Sequence, residues 1–174
     1  GGFASRLTQK LREGKGYTYG IRSGFSGTKA KGTFTISSGV RSNVTLESAQ
    51  AVQKILKEYP TTFSDKDLET TKSFLIKSNA RAFETLRAKL RMLSNISNYD
   101  LKTTYVKDRE KVVNNMTKKR ITALANKYIN PNKMIWLVVG DAETQLERMK
   151  ELGYGIPILL NKRQEQIKTK IASL

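Results

Sequence analysis

Gly1-Gly2-Phe3-Ala4-Ser5-Arg6-Leu7, leading through Leu11-Arg12-Glu13-Gly14-Lys15-Gly16 into Tyr17-Thr18-Tyr19-Gly20, is the stretch on which the fold of this chain turns. Leu7 and Leu11 lie four residues apart, so residues 5–12 are expected to form a short helix with one apolar side. Gly14 and Gly16 end it. Tyr17, Tyr19, Ile21 and Phe25 then share one parity, with Ser23 between them, which is the pattern of a half-buried strand. A polar turn over 26–31 contains Gly27. Residues 32–40 alternate again through Phe34, Ile36 and Val40, so the two runs are expected to pair as an antiparallel hairpin.

Outward from this hairpin the pattern changes to helical. Ala49, Val52 and Leu56 fall on one face of a helix expected over 46–59, ending before Pro60. Ser64 is a natural N-cap with Asp67 three residues on, and Phe63 and Leu68 can close a hydrophobic staple across it. Phe83, Leu86, Leu90 and Leu93 have helical spacing, and 105–115 is a weaker helical segment. Thr117 is expected to cap a helix carrying Ile121, Leu124, Ala125 and Tyr128. Asn130-Pro131-Asn132 turns into a strand over 134–139, followed by a helix over 142–152 and a short strand over 156–160. The order points to an α+β domain, with helices packed on one face of a mostly antiparallel sheet. No repeat, linker or low-complexity tract divides it, so residues 1–174 are read as one domain, with 161–174 as a polar, basic tail.

Composition narrows the chemistry. With 174 residues, 38% hydrophobic and 27% charged, the chain can bury a core large enough to offset chain ordering. The longest apolar run, Met134 to Val139, is far short of the about 20 residues that span a bilayer. Cysteine and histidine are both absent. Their absence removes disulfides, thiol chemistry, the commonest metal ligand and the commonest general base, so no zinc site is expected on this chain. The 32 Lys+Arg against 15 Asp+Glu give a net charge of +17, which predicts attraction to an acidic partner or a polyanion.

The opening stretch resembles the second, zinc-free half of the pitrilysin/insulinase-type metallopeptidases, the inverted zincins. It is most similar to the short bacterial and mitochondrial-processing-peptidase branch. The shared elements are the Gly-rich helix start, Ser5-Arg6-Leu7, and the segment from Leu11-Arg12-Glu13 to Gly16-Tyr17-Thr18-Tyr19. Residues from Thr117 through Asn130-Pro131 to Val138-Val139-Gly140-Asp141 look like the closing helix–strand unit of the same half-domain. Family half-domains carry another strand and part of a helix before this point, so the chain is expected to be truncated at its N-terminus.

The resemblance implies a division of labour. A first, N-terminal half holds zinc on an inverted H-x-x-E-H motif, and this second half faces it across an enclosed chamber. There the second half supplies an arginine and a tyrosine seven residues apart, which hold the substrate backbone at the scissile bond. Arg12 and Tyr19 have that spacing, and Tyr17 is two residues early. Attack on a peptide carbonyl builds negative charge on its oxygen, and a phenol O–H placed there donates a hydrogen bond that strengthens as the charge grows. A guanidinium offers a fixed fork of donors to a substrate carbonyl. The strand after Tyr19 can also pair with an extended peptide. On this reading the substrate is a short or unfolded peptide, the zinc is on the partner half, and this chain alone is inactive.

Read without the resemblance, the same residues are ordinary. Arg12 is then a solvated cation near a helix C-terminus, and Tyr19 a half-buried strand aromatic. Gly1-Gly2 resembles an anion-binding helix start but lacks the full phosphate-loop pattern. Glu13 reads as a surface salt-bridging residue. Arg87-Lys89-Arg91, Lys118-Lys119-Arg120 and Lys162-Arg163 are not interleaved with aromatics as a nucleic-acid platform requires. A structural, non-catalytic subunit of the same fold and a basic nucleic-acid-binding module remain as alternatives. The compartment is left open between cytoplasm and an exported location.

Overall fold

Leu7 and Leu11 are fully buried, and they anchor the first element of the computed structural model, which describes residues 3–27, 29–81 and 83–160. Helix α1 (Phe3–Leu7) widens into a π-helix over Thr8–Gly14. The wider turn still brings Leu11 inward beneath Leu7. The segment closes as the Gly16 N–H donates to Arg12 O at 3.1 Å and the Tyr17 N–H to Leu11 O at 2.9 Å. Gly16 has φ +61°, the left-handed conformation that reverses the chain into the sheet and that a side chain would strain.

Strands β1 (Thr18–Phe25) and β2 (Phe34–Val40) pair antiparallel, from Phe25 opposite Phe34 to Thr18 opposite Val40. The turn between them is closed by the Ser26 N–H donating to Thr33 O at 2.8 Å. At Gly32 a Cβ would lie 1.9 Å from Ser26 O, so only glycine fits there. The rings of Phe25 and Phe34, 4.8 Å apart, form the cross-strand pair at that end. At the other end the register shifts. Thr18 faces Val40 while Ile21 faces Ser38, so β1 spends three steps where β2 spends two. This is a bulge at Tyr19-Gly20, and it breaks the single parity read from Tyr17, Tyr19, Ile21 and Phe25. Thr18 and Ile21 are the buried residues, and Tyr19 is outside.

Helix α2 (Thr45–Thr62) is the spine of the core, burying Leu46, Val52, Leu56 and Tyr59. It runs through Pro60 instead of ending before it. So near the C-terminus, proline removes a single backbone donor, the one that would reach Leu56 O. The hydroxyls of Thr61 and Thr62 donate to Glu58 O at 3.0 and 2.8 Å, and the Phe63 N–H to Tyr59 O at 3.1 Å, completing the last turn. Helix α3 (Asp65–Arg81) starts as the sequence predicts: the Asp67 N–H donates to Ser64 Oγ at 3.1 Å and the Ser64 N–H to Asp67 Oδ2 at 3.0 Å. Phe63 and Leu68, on either side of this box, are both in the core.

Three further helices follow, α4 (Leu86–Tyr99), α5 (Tyr105–Asn114) and α6 (Lys118–Tyr128). Thr85 caps α4 and Thr117 caps α6, each hydroxyl accepting an N–H from three residues on, at 3.1 and 3.2 Å. Helix α6 packs on α2, with Ala125 buried, and α3 packs on α5. The periodic leucines of α4, by contrast, face solvent.

In the segment 134–139, Met134 and Trp136 pack against the core while Ile135, Leu137 and Val139 are exposed. It has no ladder partner among the described residues, so the strand expected there is not formed. Residues 142–152 divide into α7 (Ala142–Gln145) and a 3-10 turn over Arg148–Leu152 instead of one helix. The turn is tied to α2: Arg148 donates to Glu47 Oε1 at 2.7 Å and Gln53 Nε2 to Leu152 O at 3.0 Å. Of the short strand expected over 156–160, a single bridge at Leu160 is present. The basic tail 161–174, and with it Lys162-Arg163, lies outside the described residues, as does Gly1-Gly2. The chain is thus helix-rich with a small antiparallel sheet, an α+β fold. No described helix is long and apolar enough to cross a membrane.

Candidate functional site

Arg12 is in the last turn of the π-helix and is exposed. The reversal at Gly16 folds that helix end back onto β1, so Arg12 and Tyr19 stand on packed, consecutive elements. Tyr19 is 99% exposed. Nothing in the chain's own packing calls for an aromatic ring there, and leaving one in water forgoes the burial it could have had. The half-buried strand position expected for Tyr19 on parity alone is therefore replaced by an outward one.

Tyr17, the rival by spacing, is differently employed. Its ring is half-buried, the Lys15 ammonium lies 5.0 Å from the ring centroid, and Lys15 Nζ donates to its hydroxyl at 3.4 Å. Tyr17 thus braces the turn, and Tyr19 is the tyrosine available to a ligand. Glu13 is exposed.

Two residues that the sequence reading passed over shape this corner. Thr18 is 8% exposed, and its Oγ1 accepts the Gly20 N–H at 3.0 Å and donates to Gly39 O at 2.6 Å. Ser38 Oγ donates to Gly20 O at 2.9 Å. The available signal was Gly20 itself, since an isolated glycine within a strand pattern often marks a bulge.

Beneath the site, Arg6 ties the start of the chain to the joint between α2 and α3. It donates to Thr62 O at 2.8 Å and to Asp67 Oδ2 at 2.6 Å, and its guanidinium carbon lies 5.2 Å from the Tyr59 ring centroid. Burial pushes the Asp67 carboxyl up, but the Ser64 N–H, the Ser64 hydroxyl and the Arg6 charge outweigh it and bring its pKa down to about 2. Burial also raises the Tyr59 phenol. This cluster is a brace for the scaffold.

The sequence contains no His and no Cys. Among the described residues no three His, Cys, Asp or Glu gather as a metal would require.

Residues 1–75, which include Arg12, Thr18, Tyr19 and Ser38, match the family described as the peptidase M16 inactive domain. Among curated proteins nothing matches the chain. It is similar to a solved structure, that of a peptidase M16 inactive domain from Pseudomonas fluorescens, with a TM-score of 0.66 and 29% identity. The likeness covers 75% of this chain and 31% of that one, so the chain spans about a third of that protein's length. The first 75 residues are thus similar to the inactive, C-terminal type of half-domain of the pitrilysin-like M16 peptidases, and the likeness of fold to the solved domain extends over three quarters of the chain.

Proposed function

We propose that this chain is the substrate-gripping half of a zinc metallopeptidase, working against an N-terminal half that carries the metal. The observation that carries the reading is the fully exposed Tyr19, held on a bulge of the strand that packs on the π-helix bearing Arg12. The zinc on the other half would activate water and polarise the carbonyl under attack. The part assigned to this chain is recognition and charge stabilisation. The Tyr19 hydroxyl donates a hydrogen bond to the scissile carbonyl oxygen, and the Arg12 fork holds a neighbouring carbonyl of the same backbone. An extended peptide can lie along β1, whose outer edge has no ladder partner among the described residues. Recognition of this kind selects by conformation more than by side chain, which fits short or unfolded peptides.

Loss of one such donor costs about 2.7–4 kcal/mol of transition-state stabilisation, or roughly 10²–10³ in rate. Tyr19→Phe, made in the two-half enzyme, is therefore expected to lower turnover by at least about tenfold while bound zinc, measured by metal analysis, is retained. Unchanged turnover would remove Tyr19 from the site. A degraded H-x-x-E-H motif in the partner half would instead favour a structural subunit.

A further inference from the structure

In a regular strand Tyr19, two residues before Ile21, would share its side and turn toward the core. Only the extra residue in β1 sends it outward. We infer that Thr18 and Ser38 are positioning residues for Tyr19, holding the bulge through a pair of side-chain hydroxyls. The inference rests on the assignment of Tyr19 as the substrate-binding tyrosine, and it names what orients that residue.

A bulge leaves peptide groups outside the ladder, and each has to find another partner. Here both peptide groups of Gly20 find one in a hydroxyl: its N–H donates to Thr18 Oγ1 at 3.0 Å and its carbonyl accepts from Ser38 Oγ at 2.9 Å. The Thr18 proton goes across to Gly39 O at 2.6 Å, which fastens the bulge to β2. Ser38 Oγ also lies 2.8 Å from Thr18 Oγ1, so its one proton is shared between that oxygen and Gly20 O, and the two hydroxyls form one network. Thr18 is buried, and a buried hydroxyl must be hydrogen-bonded, so the network is a fixed part of the interior face. Glycine alone does not explain the bulge. Nothing lies within 4 Å of where a Gly20 Cβ would sit, and its φ is outside the left-handed region. The register is therefore held by hydroxyls.

The test uses Thr18→Val, which keeps the shape of the side chain and removes its oxygen, with Thr18→Ser as the rescue. In the whole chain, T18V is expected to speed hydrogen exchange at the Gly20 amide by about fivefold to tenfold, the worth of one hydrogen bond. It is also expected to slow nitration of Tyr19 relative to Tyr17, as the ring turns inward. T18S should restore both. In the two-half enzyme T18V should lower turnover about tenfold, and T18V combined with Tyr19→Phe should fall no further than Tyr19→Phe alone, because one residue acts through the other. Should T18V fail to fold, Ser38→Ala removes the second donor and is read by the same two signals. Unchanged Gly20 exchange and Tyr19 nitration overturn the positioning role. Altered signals with a catalytically silent Tyr19→Phe overturn only the substrate-binding assignment on which it rests.

Discussion

Arg6 and Asp67 are four-fifths buried, and what each does depends on the charge of the other. Because the folded-state pKa of Asp67 is depressed to about 2 from 3.8, its contribution to stability is fully present above about pH 4. That contribution is lost as the pH falls through the folded value. The shift corresponds to about 2 kcal/mol. Denaturant unfolding at pH 5 and at pH 2 should therefore show a loss of about that size in the native chain, and a flatter profile in Asp67→Asn. Equal slopes would mean that other carboxylates carry the acid sensitivity. At this scale the sequence is most legible where chemistry is local. The Ser64–Asp67 box and the caps at Thr85 and Thr117 depend on residues three apart, and Ser64 and Thr117 are read directly from the sequence. Tyr19 is the opposite case. Its direction depends on Ser38 and Gly39, some 20 residues away, so a count of parity along β1 alone puts it on the wrong face.

Helices of similar pattern have different fates. Leu56 of α2 is 1% exposed, whereas Leu90 of α4 is 65% exposed, although both sit in an apolar stripe of helical period. Leu56→Ala should cost about 2–5 kcal/mol of unfolding free energy, since it removes buried methyl groups and leaves a cavity. Leu90→Ala should stay within about 0.5 kcal/mol. Chemical denaturation of the two variants side by side checks the contrast, and a large loss for Leu90→Ala would mean that α4 is packed on its leucine side. Periodicity reveals that a stripe exists; which stripe is covered depends on tertiary neighbours. The same limit applies at Met134–Val139, where an apolar run suggests a strand but a ladder needs a second one. It applies again at 142–152, where a helical sequence ends in a 3-10 turn whose Arg148 and Leu152 carbonyl bond to Glu47 and Gln53 of α2.

For the molecule as a whole, the net charge of +17 is the property most open to its surroundings. Arg87, Lys89 and Arg91, like Lys118, Lys119 and Arg120, are exposed, as expected for solvated helix faces. If this charge draws the chain to an acidic partner half or to acidic peptides, the attraction must weaken with salt. Between about 0.01 and 1 M the screening length falls from about 30 to 3 Å. Association measured across that range should weaken steeply, and a flat response would exclude electrostatic recruitment.

Trp136 is the chain's one tryptophan. Its ring lies 5.5 Å from that of Tyr154, and its indole N–H is buried without an acceptor among the described residues. On either side of it Ile135 is 95% and Leu137 76% exposed. This chain therefore carries a single indole fluorophore, seated on the inner side of a row whose outer side is open to water. With no second indole to average against, its emission wavelength reports the polarity of that one place. Any rearrangement of the row can be followed optically without introducing a label.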